Sequence, residues 1–265
     1  MTLKIIVLSD LHLLAEGELS LGLDTAERLR IGLETINARH ADADFCLIAG
    51  DLADLDEKVA YERLAAILAD LTIPVHVTIG NHDDRPTFLQ VFGADQAAET
   101  GFIDKVIDAK GYRVILLDSA IELGRHDGRL EQSQLGWLQS RLLEAEDRPV
   151  IVVLHHHANP LRTDVDQIIL QNGVAFAETL NMHPDVRQVI AGHVHNTSTA
   201  IWKGIPFATL AGGHYSVSIP LGPPYATMER LSGPGQMAVI LADPDHTLVH
   251  FDNYIDHHAR LAAED

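Results

Sequence analysis

Five short clusters hold most of the side chains in this sequence that could bind a metal ion together. They are Asp10-Leu11-His12, Gly50-Asp51-Leu52-Ala53-Asp54, Gly80-Asn81-His82-Asp83, His155-His156-His157 and Gly192-His193-Val194-His195. Carboxylate and amide oxygens with imidazole nitrogens, and no thiolate, suit Mn, Fe, Zn or Co, and affinity order alone does not choose among these. Alone, each cluster says little: a D-x-H arises by chance, and His193 with His195 reads equally well as a surface pair. What counts is their joint occurrence, each directly after an apolar run.

Those runs dictate how the clusters are positioned. Residues 3–8, 45–49, 75–79, 113–117, 150–154 and 187–191 are short and continuously apolar, the pattern of strands buried on both faces. Residues 25–39, 57–71, 131–145 and 172–182 carry a helical period, with Asp24 and Glu27 resembling a capping box at the first. Strand–helix–strand alternation predicts right-handed crossovers and largely parallel pairing. In open α/β sheets ligands bind beyond the carboxyl ends of the strands, so the clusters should converge there. After residue 195 the texture changes: 199–211, 236–242 and 247–251 read as strands without intervening helices, and 212–235 as a long loop rich in Gly and Pro.

Composition narrows the function. With 19 Lys+Arg against 38 Asp+Glu the chain can hardly form a basic patch, so a nucleic-acid polymer is not an expected partner. An acidic protein that acts on an anion needs a local positive centre, which bound metal ions would supply. No apolar run approaches the roughly 18 residues that would span a membrane. The start of the chain does not read as a signal peptide, and the lone Cys46 agrees with a reducing compartment, so the expected location is cytoplasmic.

In this order the five blocks resemble the calcineurin-like metallophosphoesterases, whose pattern is D-x-H, G-D-x-x-D, G-N-H-D, H and G-H-x-H. Within that superfamily the length, the G-N-H-D form and the run of three histidines look most like bacterial class III cyclic-nucleotide phosphodiesterases and related glycerophosphodiesterases. The resemblance implies an α/β fold over residues 1–265 as a single domain. That fold is a four-layer α/β/β/α sandwich with two mixed β-sheets and a metal site at the strand C-terminal ends. It also implies two metal ions, with Asp10, His12 and His195 on one, Asn81, His156 and His193 on the other, and Asp51 bridging them. Ions about 3.5–4 Å apart can share a hydroxide that attacks phosphorus in line. His156 is selected from its triplet by the family pattern apolar-apolar-x-His-x-Pro, with Ala158 in the Pro position, and His155 and His157 then point the opposite way along an extended chain.

His82 follows a ligand and would contact the phosphate and protonate the leaving group, a contribution of about 10²–10⁴-fold. The alternative is a histidine hydrogen-bonded to Asp54 or Asp83. Asn81, His82 and His214 are the candidate substrate-binding residues. Asp54 and Asp83 read as partners that orient ligating histidines. His40, His76, His126, His183, His246 and His250 lack a motif and read as surface or core residues, and Asp256-His257-His258 as a solvated terminus.

The leading expectation is hydrolysis of a small phosphodiester, a cyclic nucleotide or a glycerophosphodiester. The alternative on the same site is a phosphomonoesterase or a promiscuous phosphatase; a monoester enzyme needs extra cations for the second phosphate charge, where the clusters bring only Arg85. A catalytically silent scaffold is the remote alternative, since every expected ligand is present. The 212–235 loop suits a lid or a contact in a homo-oligomer.

Overall fold

A computed structural model of the chain describes residues 1–54, 57–219 and 228–256. Its strands are β1 (Leu3–Leu8), β2 (Phe45–Ala49), β3 (Val75–Thr78), β4 (Lys105–Ala109), β5 (Tyr112–Leu117), β6 (Val150–Leu154), β7 (Val186–Ala191), β8 (Ser198–Trp202), β9 (Ile205–Thr209), β10 (Ser216–Val217), β11 (Arg230–Leu231), β12 (Gly235–Ala242) and β13 (Thr247–Ile255). Its helices are α1 (Thr25–Arg39), α2 (Lys58–Leu68), α3 (Arg85–Phe92), α4 (Gln132–Leu143) and α5 (Gly173–Leu180).

One sheet runs β13-β12-β1-β2-β3 and the other β4-β5-β6-β7-β9-β8, with β10 and β11 forming a separate ribbon. The apolar strands pair in parallel, β1 with β2 and β2 with β3 in the first sheet, β5 through β6 and β7 to β9 in the second. Antiparallel strands complete both sheets, so both are mixed. Continuous apolar strands need cover on both faces, and alternate residues find it. Leu3, Ile5, Val7, Phe45 and Leu47 share one core with Val114, Leu116, Ile151 and Val153 of the other sheet. The intervening Ile6, Leu8, Cys46 and Ile48 pack under α1, α2 and α3, while Ile115, Leu117, Val152 and Leu154 pack under α4 and α5. Helices thus cover the outer face of each sheet.

Asp24 caps α1, accepting from the Glu27 N–H at 3.0 Å. The stretch 199–211 is a hairpin and not one strand: Lys203 and Gly204 both take positive φ, 50° and 84°, and reverse the chain. Besides the short β10–β11 ribbon within the 212–235 loop, two elements were not expected. Helix α3 is only eight residues long and is set by Asp84, which accepts from the Thr87 N–H at 2.9 Å, with Pro86 in the first turn. Strand β4 (KVIDA) is an edge strand without a fully apolar run. Residues 220–227 of the long loop, which would carry most of a lid or contact role, lie outside the described residues, as do His257 and His258.

Phe176 is fully buried between α5 and the second sheet. Phe176→Ala should lower unfolding stability by about 3–5 kcal/mol, read as a lower urea midpoint with unchanged slope.

Candidate metal centre

Parallel strands β1, β2 and β3 of one sheet and β6 and β7 of the other end at the same rim. Backbone bonds knit their loops together: Asp10 N–H donates to Gly50 O at 3.0 Å, and the N–H groups of Leu11 and His12 both donate to Asp51 O, at 2.8 and 2.9 Å. Asp10, His12, Asp51, His193 and His195 all adopt left-handed φ, between 48° and 71°. Each such residue costs on the order of 1–3 kcal/mol and persists where the surroundings over-determine it. Glycines make room for these turns. A Cβ on Gly80 would collide with the Asp51 carboxylate, and one on Gly192 with Ser9 Oγ and Asp10 Oδ2.

Two groups of ligand atoms result. One brings together Asp10, His12, Asp51 and His195; the other His155, His156 and His193, beside Asn81. In the first group His195 Nδ1–H donates to Tyr215 O at 2.9 Å, and His12 Nδ1–H to Asp54 Oδ1 at 2.9 Å. Both Nε2 atoms turn inward: that of His12 is buried without a hydrogen-bond partner 3.5 Å from Asp51 Oδ2, and that of His195 is 3.5 Å from Asp10 Oδ1. In the second group His155 Nδ1–H donates to Ala49 O at 2.8 Å and His193 Nε2–H to Ile168 O at 3.1 Å. A carbonyl can only accept, so the other nitrogens of the two rings, His155 Nε2 and His193 Nδ1, face each other at 3.1 Å. Asn81 Oδ1 at 3.1 Å and Asp51 Oδ2 at 3.3 Å from the same His155 nitrogen complete a set of acceptors about one point. Such a set needs a cation.

The titration of the chain alone says the same. Burial opposes charge on His155, yet Asp51 and Asp10 push it up to about 9, so the surroundings favour positive charge there. Burial likewise disfavours a charged Asp51, but His155 holds its carboxyl well below the usual range. Burial, and then His155, pulls Asp10 in opposite directions, leaving it raised to about 6. Burial keeps His193 and His156 neutral well below their ordinary range and lowers His195 to about 3. Neutral imidazoles and ionised carboxylates are the forms that bind metal.

Two expectations change. From the His triplet, His155 faces Asn81, His193 and Asp51, and His156 stays beside it in the same group of ligand atoms, its ring 4.5 Å from that of His193. His156 keeps its Nδ1 against Ser119 Oγ at 2.8 Å, its ring under Gly128, whose Cβ position it fills, and its Nε2 buried without a partner. Asp83 orients no histidine. Its buried carboxylate accepts from the N–H groups of Leu52, Ala53 and Gly80 and from the Tyr61 hydroxyl, at 2.8–3.2 Å, and so pins two of the loops to each other. Asp54 does orient a histidine, His12, and is itself held by the Ser20 hydroxyl at 2.7 Å.

His82 lies at the open side, one-third exposed, its N–H donating to Asp51 Oδ1 at 3.0 Å. Its Nδ1–H donates to Asp54 O at 3.1 Å, which leaves Nε2 as the atom that can accept or carry a proton. His214 is fully buried, its ring 4.7 Å from that of His12 and 6.1 Å from that of His195, so it packs behind the ligand set. Burial lowers it to about 3. His126, set aside for want of a motif, is exposed beside the site: its Nδ1 is 3.4 Å from Asn81 Nδ2 and its ring 6.2 Å from that of His82. Only the chain path through the loop after β5 brings it there. His157 stacks on His193 at 6.0 Å and lies 3.5 Å from Asp166. His183 Nε2–H donates to Ala145 O at 2.9 Å and its Nδ1 accepts from the Asp185 N–H at 3.1 Å, so it serves the core.

Comparison with known proteins agrees with this geometry. The family model for calcineurin-like phosphoesterases matches residues 3–197. The chain belongs to that family. It is 34% identical over 224 residues to a probable cyclic nucleotide phosphodiesterase of Rhodopseudomonas palustris, covering 83% of this chain and 81% of that one. It is 33% identical over 215 residues to a cAMP/cGMP dual specificity phosphodiesterase of Mycobacterium tuberculosis (79% and 67% covered). It is 31% identical over 203 residues to the 3′,5′-cyclic adenosine monophosphate phosphodiesterase CpdA of Escherichia coli (76% and 72%). Among solved structures, a dimetal phosphatase from Danio rerio shares the fold at TM-score 0.67 and 19% identity, over 93% of this chain and 98% of that one. Calcineurin-like phosphoesterases use a dinuclear metal site, and this chain has the side chains for one.

Asp83→Ala would leave three backbone N–H groups and the Tyr61 hydroxyl buried and unpaired, at roughly 1–3 kcal/mol each. The expected outcome is a loss of several kcal/mol in denaturant unfolding, larger than for Asp54→Ala.

Proposed function

We propose that this chain hydrolyses small phosphodiesters, 3′,5′-cyclic nucleotides first among them, at a dinuclear metal centre. Asp10, His12 and His195 would hold one ion, Asn81, His155 and His193 the other, and Asp51, which faces both groups, would serve both. The observation that carries the reading is the convergence of His155 Nε2, His193 Nδ1, Asn81 Oδ1 and Asp51 Oδ2, with the outward nitrogens of both rings held by carbonyls. Two divalent ions there would supply Lewis-acid activation of water and neutralise the charge on the phosphate. The names of the relatives support cyclic nucleotides as the substrate.

The chain's own groups then have distinct tasks. His82 presents Nε2 at the open side of the centre, where it can bond a phosphate oxygen and protonate the departing alkoxide. Asp54 fixes His12 in the tautomer that offers Nε2. A diester is favoured over a monoester because Arg85, the cation next to the G-N-H-D cluster, is already engaged. It pairs with Asp118 at 2.7 and 3.1 Å and donates to Ala120 O at 2.8 Å. Buried, free Cys46 and the absence, among the described residues, of a helix able to cross a membrane support a cytoplasmic location.

The test is a kinetic panel of 3′,5′- and 2′,3′-cyclic nucleotides, glycerophosphodiesters and a monoester reporter, on protein of measured metal content. Turnover of a cyclic nucleotide with kcat/KM well above that of the monoester is expected; turnover of the monoester alone would overturn the reading. His82→Ala should retain both metals and lose about 10²–10⁴-fold in kcat, most for poor leaving groups. In metal analysis His155→Ala should lose one ion per chain while His156→Ala keeps two; the reverse pattern would return the ligand role to His156.

A further inference from the structure

Arg28 is a buried cation whose position nothing in α1 explains. It lies in the first turn of the helix, the end where the macrodipole disfavours positive charge, and is only 8% exposed. Among the described residues no carboxylate pairs with it. Its Nε–H donates instead to the carbonyl of Gly213, 185 residues away, at 2.8 Å.

Gly213 sits in a strap, residues 211–215, that wraps the Asp10–His12–His195 half of the centre. Gly212 lies so close to Asp10 that a Cβ would be 2.8 Å from the Asp10 Cβ. Gly213 N–H donates to Ser9 O at 2.9 Å, beside Asp10. His214 packs on the His12 ring. Tyr215 contributes the carbonyl that sets the His195 tautomer, and its ring stacks on His195 at 4.1 Å and 7°. The strap thus touches all three residues of one half-site and none of Asn81, His155 or His193 in the contacts described above. Its far side is tied at Gln236, whose N–H donates to Gly212 O and whose Oε1 accepts from Ala211 N–H, and at Arg28. Arg230 lies over the Tyr215 ring at 5.4 Å, while Arg28 is the charged donor to the strap's backbone, and a hydrogen bond from a charged donor is about twice as strong as a neutral one.

We infer that Arg28 is a positioning residue for one metal of the two: through the Gly213 carbonyl it holds the strap that fixes Asp10, His12 and His195. The inference rests on the dinuclear reading proposed above and deepens it, by making the two half-sites separately tunable. Residues that orient ligands from behind typically contribute 10–100-fold in metal affinity.

The test is calorimetric titration of chelator-stripped protein with Mn²⁺. The wild-type chain should show two sites. Arg28→Met should weaken one of them by about 10–100-fold and leave the other within about twofold, and Arg28→Lys, which keeps a charged donor, should recover part of the loss. In a His195→Ala background, Arg28→Met should not change the affinity of the metal that remains. Equal weakening of both sites, no weakening of either, or an effect that persists without His195 would overturn the inference while leaving the dinuclear reading intact. A wild-type chain that takes up fewer than two ions would overturn that reading, and this inference with it. If Arg28→Met fails to fold, Arg28→Lys alone decides, by loss at one site or at neither.

Discussion

Four imidazoles are locked by acceptors that leave them no choice of tautomer. His155 donates to Ala49 O, His193 to Ile168 O, His195 to Tyr215 O and His12 to the Asp54 carboxylate, so each turns its other ring nitrogen inward. The rest of the structure serves this arrangement. The strand-end carbonyl of Ala49 lies within reach because β2 and β6 deliver their ends to the same rim, and the left-handed turns at Asp10, His12, Asp51, His193 and His195 aim the side chains across it. Asp51 and Asp10 favour positive charge on the neighbouring His155, and His155 in turn favours the ionised Asp51, so this rim is built to attract a cation. Metal binding and folding of this rim are therefore linked.

The carboxylates divide into distinct tasks set by what surrounds them. Asp51 and Asp10 face the centre; Asp54 orients His12; Asp83 gathers loop amides; Asp118 takes up Arg85. An acidic chain of net charge −19 can act on an anion only if charge near the site is neutralised locally, and here metal ions would do it. The engagement of Arg85 by Asp118 keeps that positive centre small, which suits the single charge of a diester.

Much of this is legible in the sequence because two periodicities locate the strands and the ligand-bearing turns follow each one directly. The strands at 3–8, 45–49 and 150–154 agree residue for residue. What was misread has identifiable causes. The sequence pattern selected His156 by counting to a proline that this chain lacks and left out His155, whose orientation depends on Ala49 O, a partner 106 residues away. Asp83 looks like any carboxylate beside a ligand, and only the fold shows that its neighbours are amides. Helix α3 and strand β4 are too short and too mixed for a period to emerge. His126 and Arg28 reach the site through loops and a helix face with no motif at all, since spacing along the chain carries no record of where a crossover brings them.

Anomalous diffraction from crystals of the Mn²⁺-loaded protein tests the central claim most directly. Two peaks are predicted within one rim, sharing Asp51, one bounded by Asp10, His12 and His195 and the other by Asn81, His155 and His193. A single peak, or a second peak bound by His156 in place of His155, would contradict the account.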